Sequence, residues 1–298
     1  MRLLCTASRI LAQSSSADEQ PKTSSRAAAS GPGWTEVFIS PPLACRTQSA
    51  ADAVAAGFSL LILLELADRS ECSELRGEAS AVARASRRRS CILRGALLED
   101  VPEEAVTPGQ VRMPIAEMLC DSSQALCDRL LLRGVSRLHA VFPTLLPTLF
   151  GERGIGELPW ASVPTEEPAS EAPATITRNA GLAFTPGEPA CNVYTSGGQF
   201  TPHEDGQSLT VIVVLSDRDT FVGGGTSFWS ATEGTAAGRA SGARALHVNP
   251  QSAPTLVLTP PAGTALVFGG NVTHAGESVV DGERAVFVAS FSNVRAKV

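Results

Sequence analysis

The last third of the chain consists of short apolar runs separated by glycine and turn residues. From about Ala190 onward these runs are CNVY, SLTVIVVL, TSFW, TLVL, TALVF and AVFVASF. Runs of this length, rich in β-branched and aromatic residues and bounded by turn signals, are typical of strands. Their number and spacing predict two packed antiparallel sheets, as in a jelly roll, over residues 179–298.

Between about Ala50 and Gly151 the apolar spacing is mostly helical. It is clearest in IAEMLCDSSQALCDRLLLRGV, where apolar residues recur every three or four positions. The following LHAVFPTLLPTLFG has a similar spacing, but Pro143 and Pro147 interrupt it. We therefore predict an N-terminal helical support layer over residues 46–178. Its last part, 158–178, is rich in Pro, Glu and Ser and predicts a mobile surface loop.

The N-terminal segment shows no hydrophobic periodicity. It is rich in Ser and Ala with scattered arginines, and we expect residues 1–45 to be disordered or to contain a targeting sequence. Residues 1–33 have the composition of a mitochondrial or plastid transit peptide, although Asp18 and Glu19 are atypical of one. The uncharged run from Ala53 to Leu64 has only 12 residues, so it predicts a buried element and no membrane span.

Composition narrows the class of protein. With 43% hydrophobic and 18% charged residues, the 298-residue chain can bury a substantial core. The net charge of −6 and the lack of a basic stripe interleaved with aromatics argue against nucleic acid as a partner. The seven cysteines lack metal-site spacing and imply no disulfide framework. Reduced thiols suit an intracellular compartment, either the cytoplasm or an organelle.

The strongest chemical signal is a pair of histidines with an aspartate. His203 and Asp205 stand just before SLTVIVVL, and His274 follows a later apolar run. Residues two apart on a strand point to the same face, so His203 and Asp205 would converge while Glu204 turns away. Two imidazoles and one carboxylate are the ligand set of non-haem Fe(II) oxygenases, which leave further positions on the metal open.

A second signal is a charged residue in an apolar strand. Arg284 lies in GERAVFVASF, where an unpaired buried guanidinium would be costly. A carboxylate ligand would satisfy it through two parallel hydrogen bonds, and Tyr194, the only tyrosine, could add a third. The alternative is that Arg284 lies at a strand edge and is solvated.

Together these residues resemble a known family. The segment from about Cys191 to Phe291 resembles the catalytic core of the 2-oxoglutarate- and Fe(II)-dependent dioxygenases, in the prolyl 4-hydroxylase-like branch. Besides the residues already named, the resemblance rests on Gly197, on FVGGGTSFW and on ALVFGGNVTHAGESVVDGER. More weakly, LLILLELADRSECSELRGEASAV is similar to the family's opening strand and helix.

The resemblance implies a fold and a set of site residues. The fold would be α+β with a mainly β core, a double-stranded β-helix (a cupin-like jelly roll). His203, Asp205 and His274 would bind Fe(II), and Arg284, with Tyr194 beside it, would hold the far carboxylate of 2-oxoglutarate. Prolyl 4-hydroxylases proper usually have lysine at the position of Arg284. Trp229 is a candidate substrate contact.

The implied function is hydroxylation of an unactivated C–H bond with O2 and 2-oxoglutarate, releasing succinate and CO2. Ascorbate is implied as a reductant. The substrate would be a prolyl residue in a protein or peptide, although the same core supports a small molecule or a free amino acid equally well. A third alternative is a non-catalytic jelly-roll module that binds metal without turnover.

Overall fold

The computed structural model describes residues 29–39, 49–93, 109–150, 182–230 and 253–293. The helices in these ranges are α1 (Ala50–Ala55), α2 (Arg69–Leu93), α3 (Ile115–Met118), α4 (Asp121–Val141) and α5 (Leu145–Phe150). The strands are β1 (Ser30–Gly31), β2 (Trp34–Phe38), β3 (Ser59–Leu63), β4 (Gln110–Pro114), β5 (Leu182–Phe184), β6 (Ala190–Tyr194), β7 (Phe200–His203), β8 (Leu209–Val214), β9 (Phe221–Gly223), β10 (Thr226–Phe228), β11 (Leu256–Leu258), β12 (Ala265–Phe268), β13 (His274–Gly276), β14 (Val279–Gly282) and β15 (Arg284–Asn293).

The strands form antiparallel sheets. The larger sheet has nine strands in the order β1-β2-β3-β12-β8-β15-β6-β4, with β5 paired to the end of β15. A four-stranded sheet has the order β11-β10-β13-β7, and β9 pairs with β14. The described residues therefore have a mainly antiparallel β architecture with few helices, consistent with a β-sandwich of the jelly-roll kind.

Side-chain alternation divides the core into two layers. On β8, Val211 and Val213 face the cluster formed with α2 and α4, whereas Ile212 faces the cluster shared with the four-stranded sheet. On β15, Phe287 likewise faces the cluster with the helices, and Val286 faces the cluster shared with the four-stranded sheet. Because successive strand residues point to opposite faces, the large sheet lies between the helices and the smaller sheet. We call the face of the large sheet that lies toward the four-stranded sheet its inner face. A polar side chain on this face projects into the space between the sheets.

Helices α2 and α4 lie within the range predicted to be helical and pack on one face of the large sheet. α4 contributes buried residues at helical spacing, among them Leu126, Leu130 and Leu138. Its end at Val141 precedes Pro143, which cannot continue a helix. Pro147 lies in the first turn of α5, where the missing backbone N–H is not needed.

An ion pair between Glu71 of α2 and Arg133 of α4 joins the two long helices. Asp68 and Glu71 cap the start of α2, because each backbone N–H donates to the other's carboxylate at 2.9 and 2.8 Å. Arg133 of α4 binds the same Glu71 at 2.8 Å. It also donates to the carbonyl oxygen of Leu66 at 2.6 Å.

The N-terminal half also supplies strands, which the sequence pattern did not predict fully. β3 agrees with the opening strand implied by the family resemblance. β1 and β2, in contrast, lie within the segment 1–45, for which disorder or targeting was expected. The alternation of WTEVF is obscured by Glu36, which is fully buried and accepts a hydrogen bond from Ser59 Oγ at 2.9 Å.

β4 was missed for a different reason. QVRMP is short, contains one β-branched residue and ends in Pro114, which a strand tolerates at a sheet edge. β4 takes such an edge position, beside β6. Because β3 and β4 pair with β12 and β6, the large sheet crosses the predicted boundary between residues 178 and 179.

Several predictions from the sequence concern residues that the structure does not describe. Residues 1–28, 40–48 and the predicted loop 158–178 lie outside the described residues. Among the helices that are described, none is long and apolar enough to cross a membrane.

The packing of the large sheet against the helices predicts a large effect for Phe287. Its side chain is fully buried in the layer that contacts the helices. We expect Phe287→Ala to lower the free energy of unfolding by about 3–5 kcal/mol, because the change leaves a cavity. Chemical denaturation followed by circular dichroism would measure this. Val257→Ala is the control, since Val257 is 44% exposed and should change stability by no more than about 0.5 kcal/mol. A loss below about 1 kcal/mol for Phe287→Ala would contradict this packing.

Candidate metal centre

The two histidines and the aspartate predicted from the sequence meet at one point. His203 ends β7 and His274 begins β13, and the pairing of these strands places the two residues directly opposite each other. Asp205 Oδ1 lies 3.4 Å from His203 Nε2, and Asp205 Oδ2 lies 3.6 Å from His274 Nε2. One ligand atom from each residue lies within 4.8 Å of the others. Among the described residues, this is the group of His, Cys, Asp or Glu side chains arranged to hold a metal ion.

Backbone contacts fix the tautomer of both imidazoles. His203 Nδ1 lies 2.8 Å from the carbonyl oxygen of Thr201, and His274 Nδ1 lies 3.0 Å from that of Val272. A carbonyl oxygen can only accept a hydrogen bond, so each Nδ1 carries a proton and donates. In the neutral rings, each Nε2 then has a free lone pair on the side of Asp205. This is the arrangement that metal-binding histidines require.

The electrostatics of the three side chains differ. Burial lowers the pKa of His274 to about 4, so this imidazole is neutral at neutral pH. Burial also lowers the pKa of His203, but hydrogen bonds with Asp205 and the Thr201 carbonyl outweigh it and hold the pKa above the usual 6.5. Burial raises the pKa of Asp205, but hydrogen bonds from His203 and Thr210 bring it well below the usual 3.8. Two imidazoles and one ionised carboxylate fit a divalent transition metal such as Fe(II).

Arg284 lines the same cavity, which has about 400 Å³ of empty space, part of it open to solvent. Its side chain is only 2% exposed, so it is not a solvated residue at a strand edge. Nη2 donates to Thr226 Oγ1 at 2.9 Å, and Cζ lies 5.4 Å from the ring centre of Tyr194, the residue opposite Arg284 on β6. No carboxylate among the described residues forms an ion pair with Arg284. This buried cation therefore has donors left for an anion.

Close packing surrounds Arg284 and Tyr194. At Gly224, whose φ is 63°, an added Cβ would lie 3.2 Å from Arg284 Cδ. At Gly276 an added Cβ would lie 3.3 Å from the Tyr194 hydroxyl. Burial raises the pKa of Tyr194 although Arg284 lowers it, so the phenol keeps its proton and can donate.

Four polar or aromatic residues of the cavity wall escaped the sequence analysis. Arg112, Glu188, Asn192 and Phe200 line the cavity with the residues described above. Arg112 Nη2 lies 2.5 Å from Glu188 Oε1, and the guanidinium Cζ lies 5.9 Å from the Phe200 ring centre. Asn192 is opposite Arg112 in the β4–β6 ladder, and its buried Oδ1 has no hydrogen-bond partner among the described residues.

A weak signal for these residues exists in the sequence. In CNVY, Asn192 and Tyr194 occupy alternate positions, so they share a strand face. Nothing in the sequence shows that β4 is the neighbouring strand, and Arg112 is therefore not predictable. Trp229, predicted to contact substrate, is buried and is not among the residues that line the cavity.

Comparison with known proteins gives structural likenesses only. No protein-family model matches the sequence, and no curated protein matches it. A 2-oxoglutarate and Fe(II) oxygenase family protein from Burkholderia pseudomallei is 18% identical over 38% of this chain and 46% of its own, with a TM-score of 0.25. The viral collagen prolyl hydroxylase of Paramecium bursaria Chlorella virus-1 is 12% identical over 77% of this chain and 93% of its own, with a TM-score of 0.37. A Pseudomonas putida prolyl-4-hydroxylase is 14% identical over 81% and 95%, with a TM-score of 0.35.

One of these three solved structures is described as a 2-oxoglutarate and Fe(II) oxygenase family protein, and the other two as prolyl hydroxylases. The same family was indicated by the sequence motifs. Identity and TM-score are low in every case, so the function proposed below rests on the geometry of the site.

The raised pKa of His203 predicts how metal affinity depends on pH. A metal binds the neutral imidazole, so the affinity of the protein for the metal is highest above the pKa of His203. The affinity falls below that pKa, because the metal must displace a proton. We expect the affinity for Mn(II) to be constant at high pH and to fall about tenfold per pH unit below that pKa, with one proton released. Calorimetry at pH 6, 7 and 8 in buffers of different ionisation enthalpy would measure both. His139→Gln changes an exposed histidine of α4 and should give the same profile as the unaltered protein. Equal affinity at pH 6 and pH 8 would contradict the prediction.

Proposed function

We propose that this protein is a non-haem Fe(II)- and 2-oxoglutarate-dependent dioxygenase that hydroxylates an unactivated C–H bond and releases succinate and CO2. One observation carries the proposal. The His203, Asp205 and His274 group shares a cavity with Arg284, a buried cation that has no carboxylate partner among the described residues. We further propose that the two main sheets form a double-stranded β-helix.

In this proposal, His203, Asp205 and His274 hold the iron. The two Nε2 lone pairs and the Asp205 carboxylate supply three ligands, which leaves further positions for 2-oxoglutarate and O2. Bound iron and 2-oxoglutarate supply the oxidative chemistry, whereas the protein binds, orients and excludes water. Ile212, Val286 and Val288 line the cavity and provide an apolar wall for this purpose.

Arg284 holds the far carboxylate of 2-oxoglutarate in this proposal. Its guanidinium donates a hydrogen bond to Thr226, and its planar fork can give two parallel hydrogen bonds to a carboxylate. The protonated Tyr194 hydroxyl can donate a third. A carboxylate there also compensates a charge that would otherwise remain unpaired in a buried site.

For the substrate, we propose a prolyl residue of a protein or peptide. The supporting feature is the resemblance of the segment from about Cys191 to Phe291 to the prolyl 4-hydroxylase-like branch. The alternative is the same chemistry on a small molecule or a free amino acid. A non-catalytic metal-binding module is disfavoured because both the three ligands and the buried Arg284 are retained.

Succinate formation tests the proposed reaction. In air, we expect purified protein with Fe(II), 2-oxoglutarate and ascorbate to form succinate, because slow uncoupled turnover needs no substrate. Without O2 we expect no succinate, because the reaction consumes O2. Asp205→Ala should abolish the reaction, since it removes one of the three ligands. Proline-containing peptides and small molecules can then be compared for stimulation of the rate. Absence of succinate, together with no absorption band from the anaerobic Fe(II) and 2-oxoglutarate complex, would refute the proposal.

The role given to Arg284 predicts a selective loss of 2-oxoglutarate affinity. Arg284→Ala removes a charged, bidentate contact in a buried site, which is worth about 2–5 kcal/mol. We therefore expect the Kd for 2-oxoglutarate to rise by about 30-fold or more, with Mn(II) affinity little changed. Calorimetry on the Mn(II)-loaded protein would measure both constants. Thr226→Val removes one hydrogen bond that Arg284 donates to a hydroxyl and keeps the guanidinium, so the Kd for 2-oxoglutarate should rise less than in Arg284→Ala. An unaltered Kd in Arg284→Ala would show that Arg284 does not bind the cosubstrate.

A further inference from the structure

Asp205 is held differently from the two histidines. His203 and His274 belong to strands, and the pairing of β7 with β13 fixes both backbones. Asp205 lies in the loop between β7 and β8, next to Gly206, whose φ is 67°. No strand ladder orients its side chain, so the carboxylate depends on other contacts for its position.

The strongest of these contacts comes from the large sheet on the other side of the cavity. Thr210 Oγ1 lies 2.5 Å from Asp205 Oδ2. Thr210 is fully buried in β8, between Phe268 of β12 and Ser290 of β15. The hydrogen bond therefore connects the loop that carries Asp205 to the centre of the nine-stranded sheet.

Ser290 extends the contact by one step. Its side chain is also fully buried, and its Oγ lies 3.2 Å from Thr210 Oγ1. An ionised carboxylate only accepts hydrogen bonds, so Thr210 uses its single proton toward Asp205. Ser290 Oγ lies where it can accept from the same hydroxyl, so Asp205 and Ser290 are the two acceptors beside Thr210 Oγ1. The Thr210 hydroxyl is therefore held between Ser290 and Asp205.

The placement of these two hydroxyls is unusual for the strands that carry them. The neighbouring inner-face positions are Ile212 on β8 and Val288 on β15, and both lie in the apolar cluster between the sheets. Two adjacent polar side chains on such a face require a polar partner. Asp205 provides it, and a hydrogen bond to a charged acceptor is about twice as strong as one between neutral groups.

We infer that Thr210, supported by Ser290, is the positioning residue that keeps the two oxygens of Asp205 facing the Nε2 atoms of His203 and His274. This inference rests on the proposed metal-binding function. Without the Thr210 hydroxyl, the carboxylate keeps its contact with His203 but loses the hydrogen bond that holds it from the large sheet. The protein would then have to order Asp205 at the moment of metal binding, and its affinity for the metal would fall.

Metal affinity of four full-length variants tests the inference. Mn(II) binding is measured by calorimetry for Thr210→Val, Thr210→Ser, Ser290→Ala and Thr264→Val. Loss of a residue that orients a metal ligand typically weakens binding by about 10- to 100-fold, and we expect this for Thr210→Val. Thr210→Ser keeps the hydroxyl and should bind nearly as well as the unaltered protein. Thr264→Val is the control, since Thr264 is 1% exposed and does not line the cavity.

Unfolding midpoints of the same variants separate positioning from stability. A purely structural role for Thr210 would lower the midpoint of Thr210→Val and leave the Mn(II) Kd of the folded protein unchanged, and that result would overturn the inference. Should Thr210→Val not fold, Ser290→Ala makes the test, because it removes the second buried hydroxyl that holds the Thr210 side chain. Unchanged affinity in Ser290→Ala would then overturn the inference.

Failure of the proposed function would look different. In that case the unaltered protein would not bind Mn(II), and the inference about Thr210 would fall with it. Binding by the unaltered protein that is equal in Thr210→Val would refute the positioning role alone and leave the metal centre intact.

Discussion

The site depends on the antiparallel pairing of β7 with β13. This pairing sets His203 opposite His274 and brings their ring centres to 4.4 Å. A shift of one residue in the register would turn one imidazole to the other face of the small sheet, and the two Nε2 atoms could not share a metal. Hydrogen bonds from each Nδ1 to a backbone carbonyl then fix the ring orientation. The backbone of the small sheet thus determines both the distance between the imidazoles and their tautomers.

The large sheet supplies the charges and hydrogen bonds that complete the site. Arg284 begins β15, and Thr210 and Ser290 are a cross-strand pair on β8 and β15. Ser290 also donates its backbone N–H to the Glu188 carboxylate, whose other oxygen binds Arg112. The inner face of this sheet places Arg112, Asn192 and Arg284 together at the cavity. Burying these polar groups costs desolvation free energy. Hydrogen bonds and ion pairs offset that cost only where each buried group has a partner.

Arg112 and Arg284 differ in whether the charge of the guanidinium is paired within the protein. Arg112 is paired with Glu188 and its side chain is 26% exposed, so its charge is compensated within the protein. Arg284 is buried beside a phenol and a threonine, and neither of them carries a compensating charge. An anionic ligand is consequently expected at Arg284 rather than at Arg112. The distinction depends on burial and pairing, because both residues are arginines in strands of the same sheet.

The local chemistry of the chain was predictable from its sequence. The HxD pattern before an apolar run, a later histidine, and an arginine in an apolar strand indicated the candidate metal ligands and the buried cation. Strand periodicity was the reason given for the pairing of His203 with Asp205, but β7 ends at His203 and Asp205 lies in the loop that follows. The helical spacing likewise predicted α4. β1, β2 and β4 were not predicted, since a buried Glu36 and an edge proline obscure the apolar alternation.

The tertiary structure decided which distant residues meet. Strand pairing brings Arg112 beside Asn192, Thr210 beside Ser290, and Thr210 within 2.5 Å of Asp205. These contacts join positions that belong to different strands, and a sequence pattern reports periodicity within one strand and not the choice of its neighbours. The sequence by itself therefore determined the chemical groups available to the site. The order of strands in the sheets, set by the packing of the whole core, determined which of these groups support one another.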